Sequence, residues 1–144
     1  FERYEVSNWA RPGHACRHNL VYWCAGDYLA FGAGAHGHLR GRRWWTTRLP
    51  RDYIEGAGTG RTEAGFEELG PDERAGEALM LGLRLTTGVD IDPFILRFGF
   101  DAWRRRLPDI QELINEGLLV RRNGCLRLAP RATMLHSEVA ARVM

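Results

Sequence analysis

The sequence predicts an α/β fold whose two parts differ in composition and in the spacing of their apolar residues, and three observations support this. Residues 1 to about 60 are rich in Gly, His and aromatic residues and contain short extended runs. From about residue 70 onward, apolar side chains recur at three- and four-residue steps, as in helices. Near the end, Asn123-Gly124 separates two strand-like runs, which is a strong local signal for a β-hairpin. We therefore expect a strand-containing first part and a mainly helical second part with one hairpin.

The composition is that of a globular protein with one ordinary core or two small ones. The 144 residues are 44% hydrophobic and 26% charged. All 20 basic residues are arginines, and the formal net charge is only +2. This balance argues against a dedicated nucleic-acid binder, although arginine forks bind carboxylates and phosphates well. An anionic ligand is therefore compatible with the sequence.

The three cysteines predict ordinary buried thiols in a reducing compartment. Cys16, Cys24 and Cys125 have neither a paired spacing nor the spacing of a metal-binding cluster.

The sequence has no apolar run as long as a membrane span and no leader, which predicts a cytoplasmic location. The chain begins at Phe1 and enters an alternating run at once, so a fragment of a longer protein is expected.

Three extended runs predict strands in the first part, at residues 4–7, 28–31 and 43–49. A Gly-rich run at residues 32–37 follows the second of them. Such a run at the end of a strand lets the backbone approach a ligand or a packed neighbour closely. It lacks the GxGxxG order, so it does not indicate a dinucleotide site.

The second part predicts helices over residues 71–88, 92–99 and 103–117, with a break or restart at Pro108. The hairpin is expected at 118–122 and 125–128, and a last helix follows Pro130. The residues expected to face inward are Ala75, Ala78, Leu79, Gly82, Leu83, Leu85, Ile110, Leu113, Ile114, Met134, Leu135, Val139 and Val143.

Helices followed by a hairpin and a further helix resemble a winged-helix arrangement, which raises a nucleic-acid-binding alternative. Its phosphate contacts would be Arg104, Arg105, Arg106, Arg121, Arg122 and Arg131. Against it, acidic residues are spread through the same helices, and no single basic face emerges from the sequence.

The segment at residues 17–23 carries the most distinctive chemistry of the chain. At helical spacing, His18 and Tyr22 share one face, and Asn19 and Trp23 share the neighbouring one. The four side chains could line a pocket for a flat aromatic ligand that also needs an axial nitrogen. An alternative remains open from spacing alone, in which the polar residues cap a short helix and the aromatic residues anchor it to a core.

Six blocks of the sequence, taken in order, resemble the C-terminal part of the radical S-adenosylmethionine heme chaperones, a family related to oxygen-independent coproporphyrinogen III oxidases. The blocks are YEVSNWA (4–10), PGH (12–14), RHNLVYW (17–23), GDYL (26–29), GAGAHG (32–37) and EALMLGLRL (77–85). The resemblance implies that residues 1–50 complete a partial (β/α) radical SAM barrel, that 51–69 form a linker and that 70–144 form the helical C-terminal domain.

The resemblance also implies a heme site. The family's HNxxYW motif corresponds to His18, Asn19, Tyr22 and Trp23, with His18 as tentative ligand of the heme iron and Arg17 as partner of a propionate. The residues Gly32, Gly34 and His36 would belong to a ligand-facing loop. The other imidazoles that compete for the axial position are His14, His36 and His38.

The implied function is to hold heme for transfer to acceptor hemoproteins, such as respiratory enzymes, in the cytoplasm or at the membrane. The implied cofactors of the full-length protein are a [4Fe–4S] cluster and S-adenosylmethionine. The CxxxCxxC motif that would hold them is absent here, so the chain by itself is expected to be inactive as a radical enzyme. Oxidation of coproporphyrinogen III in porphyrin biosynthesis is the enzymatic alternative.

Overall fold

The computed structural model describes residues 1–144, which form two compact units. The first contains residues 1–25 and 71–144, and the second contains residues 26–70. In chain order the elements are β1 (Glu2–Arg3), β2 (Trp9–Ala10), α1 (Arg17–Trp23), β3 (His36–Leu39), β4 (Arg42–Thr46), α2 (Pro50–Ala57), β5 (Glu63–Glu68), α3 (Pro71–Gly82), β6 (Val89–Asp90), α4 (Ile91–Phe98), α5 (Phe100–Asn115), β7 (Leu119–Arg122), β8 (Cys125–Leu128), a 3₁₀ helix (Pro130–Leu135) and α6 (His136–Val143).

The first unit has a helical core that is closed on one side by a small sheet. Helices α3, α4, α5 and α6 pack on one another, and the antiparallel sheet has the strand order β6-β8-β7. The buried apolar cluster consists of Ala75, Ala78, Leu79, Leu83, Ile91, Phe94, Ala102, Trp103, Ile110, Leu113, Leu119, Leu126, Val139 and Val143. Most of the apolar positions predicted by helical spacing are therefore confirmed.

Two helical predictions in this unit were inaccurate because tertiary contacts override the local pattern. Helix α3 ends at Gly82 rather than at Gly88, since residues 84–86 instead pair with the N-terminal segment. The Val6 N–H donates to the Arg84 carbonyl at 3.0 Å, and the Thr86 N–H donates to the Tyr4 carbonyl at 3.1 Å. Helix α5 continues through Pro108, because buried residues on both sides of the proline hold it against one core.

The last helix also differs from its prediction. Residues 130–135 form a 3₁₀ helix, whose three-residue turn changes the face on which each side chain lies. As a result Met134, which was predicted to face inward, is 91% exposed, and Leu135 is also exposed. Val139 and Val143 are fully buried as predicted, and His136 is buried beside them, with Nε2 3.0 Å from the Met80 carbonyl oxygen.

The hairpin prediction is confirmed. Strands β7 and β8 pair in antiparallel register, with Leu119 opposite Leu128 and Arg122 opposite Cys125. Both turn residues, Asn123 and Gly124, have positive φ angles of 52° and 76°, as a two-residue turn of this class requires.

The second unit is a three-stranded antiparallel sheet in the order β3-β4-β5, with α2 between β4 and β5. Residues 51–69, predicted as a linker, thus contain most of a helix and a strand. The sequence of β5 did not predict a strand because five of its six residues are exposed, so it shows no apolar alternation. Every strand pairing within the chain is antiparallel, so residues 1–50 do not pair with one another in the parallel manner of a barrel.

Candidate functional site

Helix α1 forms as the sequence predicted and lies in the first unit. It begins at Arg17, after an extended Cys16 that provides no side-chain cap. At its end, Arg97 donates hydrogen bonds from Nη1 to the Cys24 carbonyl at 2.9 Å and from Nη2 to the Ala25 carbonyl at 2.5 Å. A cation at the C-terminal end of a helix satisfies free carbonyls and favours the helix dipole. Arg97 thus stabilises a helix of only two turns.

His18 and Tyr22 form a close pair on one face of α1. The Tyr22 hydroxyl is 2.8 Å from His18 Nε2, and the two rings meet edge to face with centroids 4.8 Å apart. His18 is exposed, whereas Tyr22 is half-buried. The hydroxyl fixes the orientation of the imidazole through one ring nitrogen, while Nδ1 has no protein partner. The sequence placed these residues on one face but gave no reason to expect the hydrogen bond.

Asn19 and Trp23 hold α1 against other parts of the same unit. The Asn19 amide Nδ2 donates to the Tyr4 hydroxyl at 3.2 Å. The Arg84 guanidinium lies over the Trp23 ring, 4.2 Å from its centroid, a distance at which cation–π attraction is effective. The Trp23 Nε1–H is buried without a hydrogen-bond acceptor. One face of the indole is therefore covered by protein.

A buried carboxylate, Glu5, organises the residues behind α1. Its side chain is fully buried and accepts hydrogen bonds from the Ser7 N–H at 2.8 Å, Asn8 Nδ2 at 2.7 Å and Arg84 Nη2 at 2.9 Å. Burial raises the pKa of the Glu5 carboxyl, but the hydrogen bonds from Asn8, Ser7 and Arg84 outweigh it and leave the pKa below its ordinary value. The carboxylate thus stays charged and fixes the arginine that covers Trp23.

Sequence reasoning missed Tyr4, Glu5 and Arg84 as supports of α1. The alternating run at residues 4–7 was the available signal, because a carboxylate that such a run places inward needs partners. Arg17, the predicted partner of a propionate, is exposed, and its guanidinium is in no ion pair.

The second unit contains the predicted glycine loop. Gly32 and Gly34 both have positive φ angles, of 97° and 69°. The buried Thr46 closes the loop: its hydroxyl donates to the Gly32 carbonyl at 2.6 Å and accepts from the Ala35 N–H at 2.9 Å. His36 is exposed at the start of β3, and its ring centroid lies 6.1 Å from that of Trp45. Thr46 was not predicted as part of this loop.

The competing histidines differ in their surroundings. His38 Nδ1 is 3.2 Å from the Gly26 carbonyl oxygen and 3.4 Å from an Asp27 carboxylate oxygen, so this ring nitrogen has partners within the second unit. His14 is exposed in the loop before α1. Among these imidazoles, only that of His18 is held by an aromatic hydroxyl on its own helix.

The cysteines were predicted to be buried, and this was wrong for two of them. Cys16 and Cys24 are exposed because they flank α1 at the surface, and Cys125 is partly buried; all three are free thiols.

No group of three or more His, Cys, Asp or Glu side chains is arranged to hold a metal ion. No helix has the length and apolar character needed to cross a membrane.

Four of the six predicted phosphate contacts are already engaged within the protein. Arg104 pairs with Asp101 at 3.0 Å, and Arg105 pairs with Asp72 at 3.0 Å. Arg106 is buried and bonds the Val143 carbonyl, and Arg131 donates to the carbonyls of residues 116 and 117. Only Arg121 and Arg122, on β7, are exposed without an ion-pair partner. The six side chains therefore do not form one basic face.

Comparison with known proteins agrees with the family resemblance. A family model described as the HemN C-terminal domain matches residues 69–135. The chain is 47% identical over 92 residues to the heme chaperone HemW of Mycobacterium tuberculosis, covering 63% of this chain and 24% of that protein. It is 32% identical over 142 residues to the heme chaperone HemW of Bacillus subtilis, covering 95% of this chain and 36% of that protein.

A mitochondrial relative and a solved structure extend the comparison. The chain is 39% identical over 82 residues to a radical S-adenosyl methionine domain-containing protein 1 of Bos taurus, covering 57% of this chain and 16% of that protein. The solved coproporphyrinogen III oxidase HemN of Escherichia coli, a radical SAM enzyme, matches with a TM-score of 0.65 at 14% identity, covering 82% of this chain and 28% of that chain. This likeness shows the fold.

The chain spans between 16% and 36% of the length of these curated relatives. The family model covers α3 to the 3₁₀ helix, and the alignment with the Bacillus subtilis protein runs through nearly the whole chain, α1 included. The chain therefore belongs to the family of HemW heme chaperones and HemN, and residues 69–135 form its HemN C-terminal domain.

Proposed function

We propose that this chain is the part of a heme chaperone that holds heme through helix α1 for transfer to acceptor hemoproteins. The observation that carries the proposal is the pairing of His18 with Tyr22, in which one imidazole nitrogen is held and the other has no protein partner. Metal-binding histidines commonly have their second ring nitrogen held by a hydrogen-bond partner, usually a carboxylate, a backbone carbonyl or water, and here the Tyr22 hydroxyl is that partner. The curated relatives named heme chaperones support heme as the cargo.

The side chains of α1 fit a heme cargo in distinct roles. Heme would supply an iron with an axial position for a nitrogen ligand. His18 would provide that nitrogen, and Tyr22 would keep the ring in one orientation. Arg17, exposed and without an ion-pair partner, would bind a propionate. The exposure of His18 suits a cargo that must later be released to another protein.

Two residues of the motif have supporting roles in this proposal. Asn19 fixes the helix through Tyr4. Trp23 could contact a porphyrin only with the face that Arg84 leaves uncovered, so it would form a wall of the site. The loop of Gly32, Gly34 and His36 belongs to the second unit, and its role as a ligand-facing loop remains a proposal implied by the resemblance.

We propose that the [4Fe–4S] cluster and S-adenosylmethionine of the complete protein are held by residues outside these 144. Cys16, Cys24 and Cys125 do not have the CxxxCxxC spacing, and any barrel adjoining residues 1–50 would bring its own thiolates. Heme transfer would take place in the cytoplasm, to acceptors there or at the membrane. Release of heme to a named acceptor is the step that a transfer assay with the full-length protein would measure.

The oxidase and nucleic-acid alternatives have weaker support. The solved oxidase is only 14% identical to this chain, so its similarity supports the fold alone. The relatives at 32% and 47% identity are named heme chaperones. Product analysis of the full-length protein distinguishes the two, because only the oxidase would form protoporphyrinogen. The arginines expected to contact nucleic acid are mostly paired within the protein.

Hemin titration followed by the Soret band tests the proposal. We expect His18→Ala to weaken hemin binding at least about tenfold and to shift the Soret maximum, since it removes the axial nitrogen. His14→Ala is the matched control, because it removes another exposed imidazole just before the same helix. Equal titrations of the wild type and His18→Ala would contradict the assignment of His18, and equal loss in both variants would indicate non-specific binding.

A further inference from the structure

A groove of about 350 Å³ opens on the first unit, between the N-terminal segment, the turn after α3 and the β7–β8 hairpin. No residue that lines it belongs to α1 or to the second unit. Small-molecule sites have volumes of about 300–1,000 Å³, so this groove suits a small ligand. Its lining consists of Arg3, Val6, Leu83, Arg84, Leu85, Thr86, Val120, Arg122, Arg127, Leu128, Pro130 and Thr133.

The groove has an excess of positive charge. Four of its lining residues are arginines, and none is acidic. Arg84 is neutralised by the buried Glu5, with Nη2 2.9 Å from a carboxylate oxygen. Arg3 donates only to a threonine hydroxyl, at 3.2 Å, and neither Arg122 nor Arg127 is in an ion pair. Three positive charges therefore lack a counter-charge at one groove, in a chain whose formal net charge is only +2.

The register of the hairpin places two of these charges near each other. Val120 is opposite Arg127, and Arg122 is two residues beyond Val120 on β7, so these three residues share one face of the hairpin. Diagonal neighbours of this kind are roughly 7–8 Å apart. Like charges at that distance repel each other, and a bound anion offsets the repulsion and gains charge-assisted hydrogen bonds. The hairpin face thus favours an anionic ligand.

Half of the lining is apolar. The six apolar residues are Val6, Leu83, Leu85, Val120, Leu128 and Pro130. Val6 and Leu85 are half-buried and Val120 is 39% exposed, so apolar surface remains open to a ligand. Small-molecule sites typically combine apolar walls with a few charged groups that orient the ligand. An inorganic anion would leave the apolar walls in water, whereas an anion with an apolar body would cover them.

We propose that this groove binds a small organic anion, which has a carboxylate or phosphate head group on an apolar body. The head group pairs with Arg3 and Arg122, the two exposed arginines of the lining that have no counter-charge. The apolar body contacts Val6, Leu85 and Val120. Arg84 keeps its pairing with Glu5, so the arginine over Trp23 is not needed for this ligand. The proposal is independent of heme binding at α1.

Titration of the 144-residue chain with octanoate and with octyl phosphate, followed by NMR shifts of the backbone amides, tests the proposal. We expect saturable shifts confined to β7, β8, residues 83–86 and the N-terminal segment. Arg3→Gln and Arg122→Gln should each weaken binding about tenfold, since each removes a charge-assisted hydrogen bond. Arg121→Gln is the matched control, because Arg121 is exposed on the same strand and does not line the groove.

Three further comparisons separate the head group from the apolar body. Octanamide has the same apolar body without the charge, and acetate has the charge without the body. Each should bind at least about tenfold more weakly than octanoate. Val120→Thr should weaken octanoate binding about fourfold, which corresponds to the loss of one buried methyl group, and it keeps a β-branched residue in the strand.

Saturable binding of either octyl probe at the groove would support the proposal, and the tighter probe would identify the head group. Absence of saturable binding, shifts outside the groove, equal weakening by Arg121→Gln, or equal affinity for octanamide would overturn it. Hemin titration separates this result from the proposed function. Arg122→Gln should bind hemin as the wild type does, and His18→Ala should bind octanoate as the wild type does, so either site can fail without the other.

Discussion

Glu5 connects distant parts of the first unit through one buried charge. It lies 79 positions from Arg84 in the sequence, and Arg84 in turn lies over Trp23 at the end of α1. Removing a hydrogen-bonded charge from such a site leaves the other charge without its partner, and the cost exceeds that of losing one neutral hydrogen bond. The orientation of Arg84 over Trp23 therefore depends on Glu5 being ionised.

The Glu5→Gln variant should lose stability at neutral pH and recover its relative stability in acid. The folded-state pKa of Glu5 lies below its ordinary value of 4.5, so its charge stabilises the fold above that value, and this contribution is lost as pH falls through the folded-state pKa. We expect a loss of about 2 kcal/mol at pH 7, shrinking below about pH 4.5. Urea unfolding at a series of pH values measures it.

Glu2→Gln provides the control for this measurement, because Glu2 is exposed in β1 and its side chain is in no ion pair. Its free energy of unfolding should stay close to that of the wild type at every pH. A Glu5→Gln penalty that is the same at pH 3 and pH 7 would contradict the role given to the ionised carboxylate.

At the candidate site, contacts between residues close in the sequence were predictable, and contacts between residues far apart in the sequence were not. His18 and Tyr22 are four apart on a helix, so spacing alone placed them side by side. The contacts of Glu5 with Arg84 and of Asn19 with Tyr4 join segments separated by 79 and 15 residues. No periodicity encodes such pairs, because they arise only when the elements pack.

At the scale of elements, two glycines with similar backbone angles have different roles. Gly88 has a φ angle of 74°, and Gly124, in the hairpin turn, has a φ angle of 76°. A Cβ at Gly124 would meet no atom within 4 Å, whereas a Cβ at Gly88 would lie 2.2 Å from the Leu126 carbonyl oxygen. Gly88 thus combines a left-handed backbone with close approach to β8.

Substitution of both glycines by alanine should separate backbone strain from steric overlap. Gly124→Ala should cost about 1 kcal/mol, the penalty for a non-glycine residue in this conformation. Gly88→Ala should cost about 3 kcal/mol, because the chain must also move away from β8. Thermal and urea unfolding of the two variants measures the difference. Equal losses would show that the contact between Gly88 and β8 has no energetic effect.

Prediction of the elements succeeded where a segment has one strongly apolar face. Helices α3, α4 and α5 and the hairpin bury regular sets of side chains, so their periods are visible in the sequence. Residues 83–88 and 130–135 were predicted as helical, but the first segment pairs with the N-terminal segment and the second forms a 3₁₀ helix. Strand β5 is an exposed edge, held by backbone hydrogen bonds to β4. Such elements have no pattern to detect.

At the scale of the whole molecule, apolar burial is concentrated in one of the two units. All fourteen residues of the buried cluster belong to the first unit. In the second unit the buried positions are Gly37, Gly41 and Thr46, and its ion pairs, such as Arg42 with Glu63 at 2.6 Å, are partly exposed. Exposed ion pairs contribute little to stability. Each unit should therefore have its own local stability.

Hydrogen exchange followed by mass spectrometry should show this difference directly. We expect the slowest exchange in α3 and α5, and exchange at least about a hundredfold faster in β3 to β5, because few buried contacts oppose local opening of that sheet. The position of the change discriminates between two divisions of the chain. The two units of the structure place the change after residue 25 and again after residue 70, whereas the domains predicted from sequence group residues 1–25 with the rest of 1–50. Residues in α1 should follow the protected group, since Asn19 and Trp23 are held by the first unit. If α1 exchanged at the rate of β3 and β4, it would not belong to the first unit, and the domain boundaries predicted from sequence would be favoured.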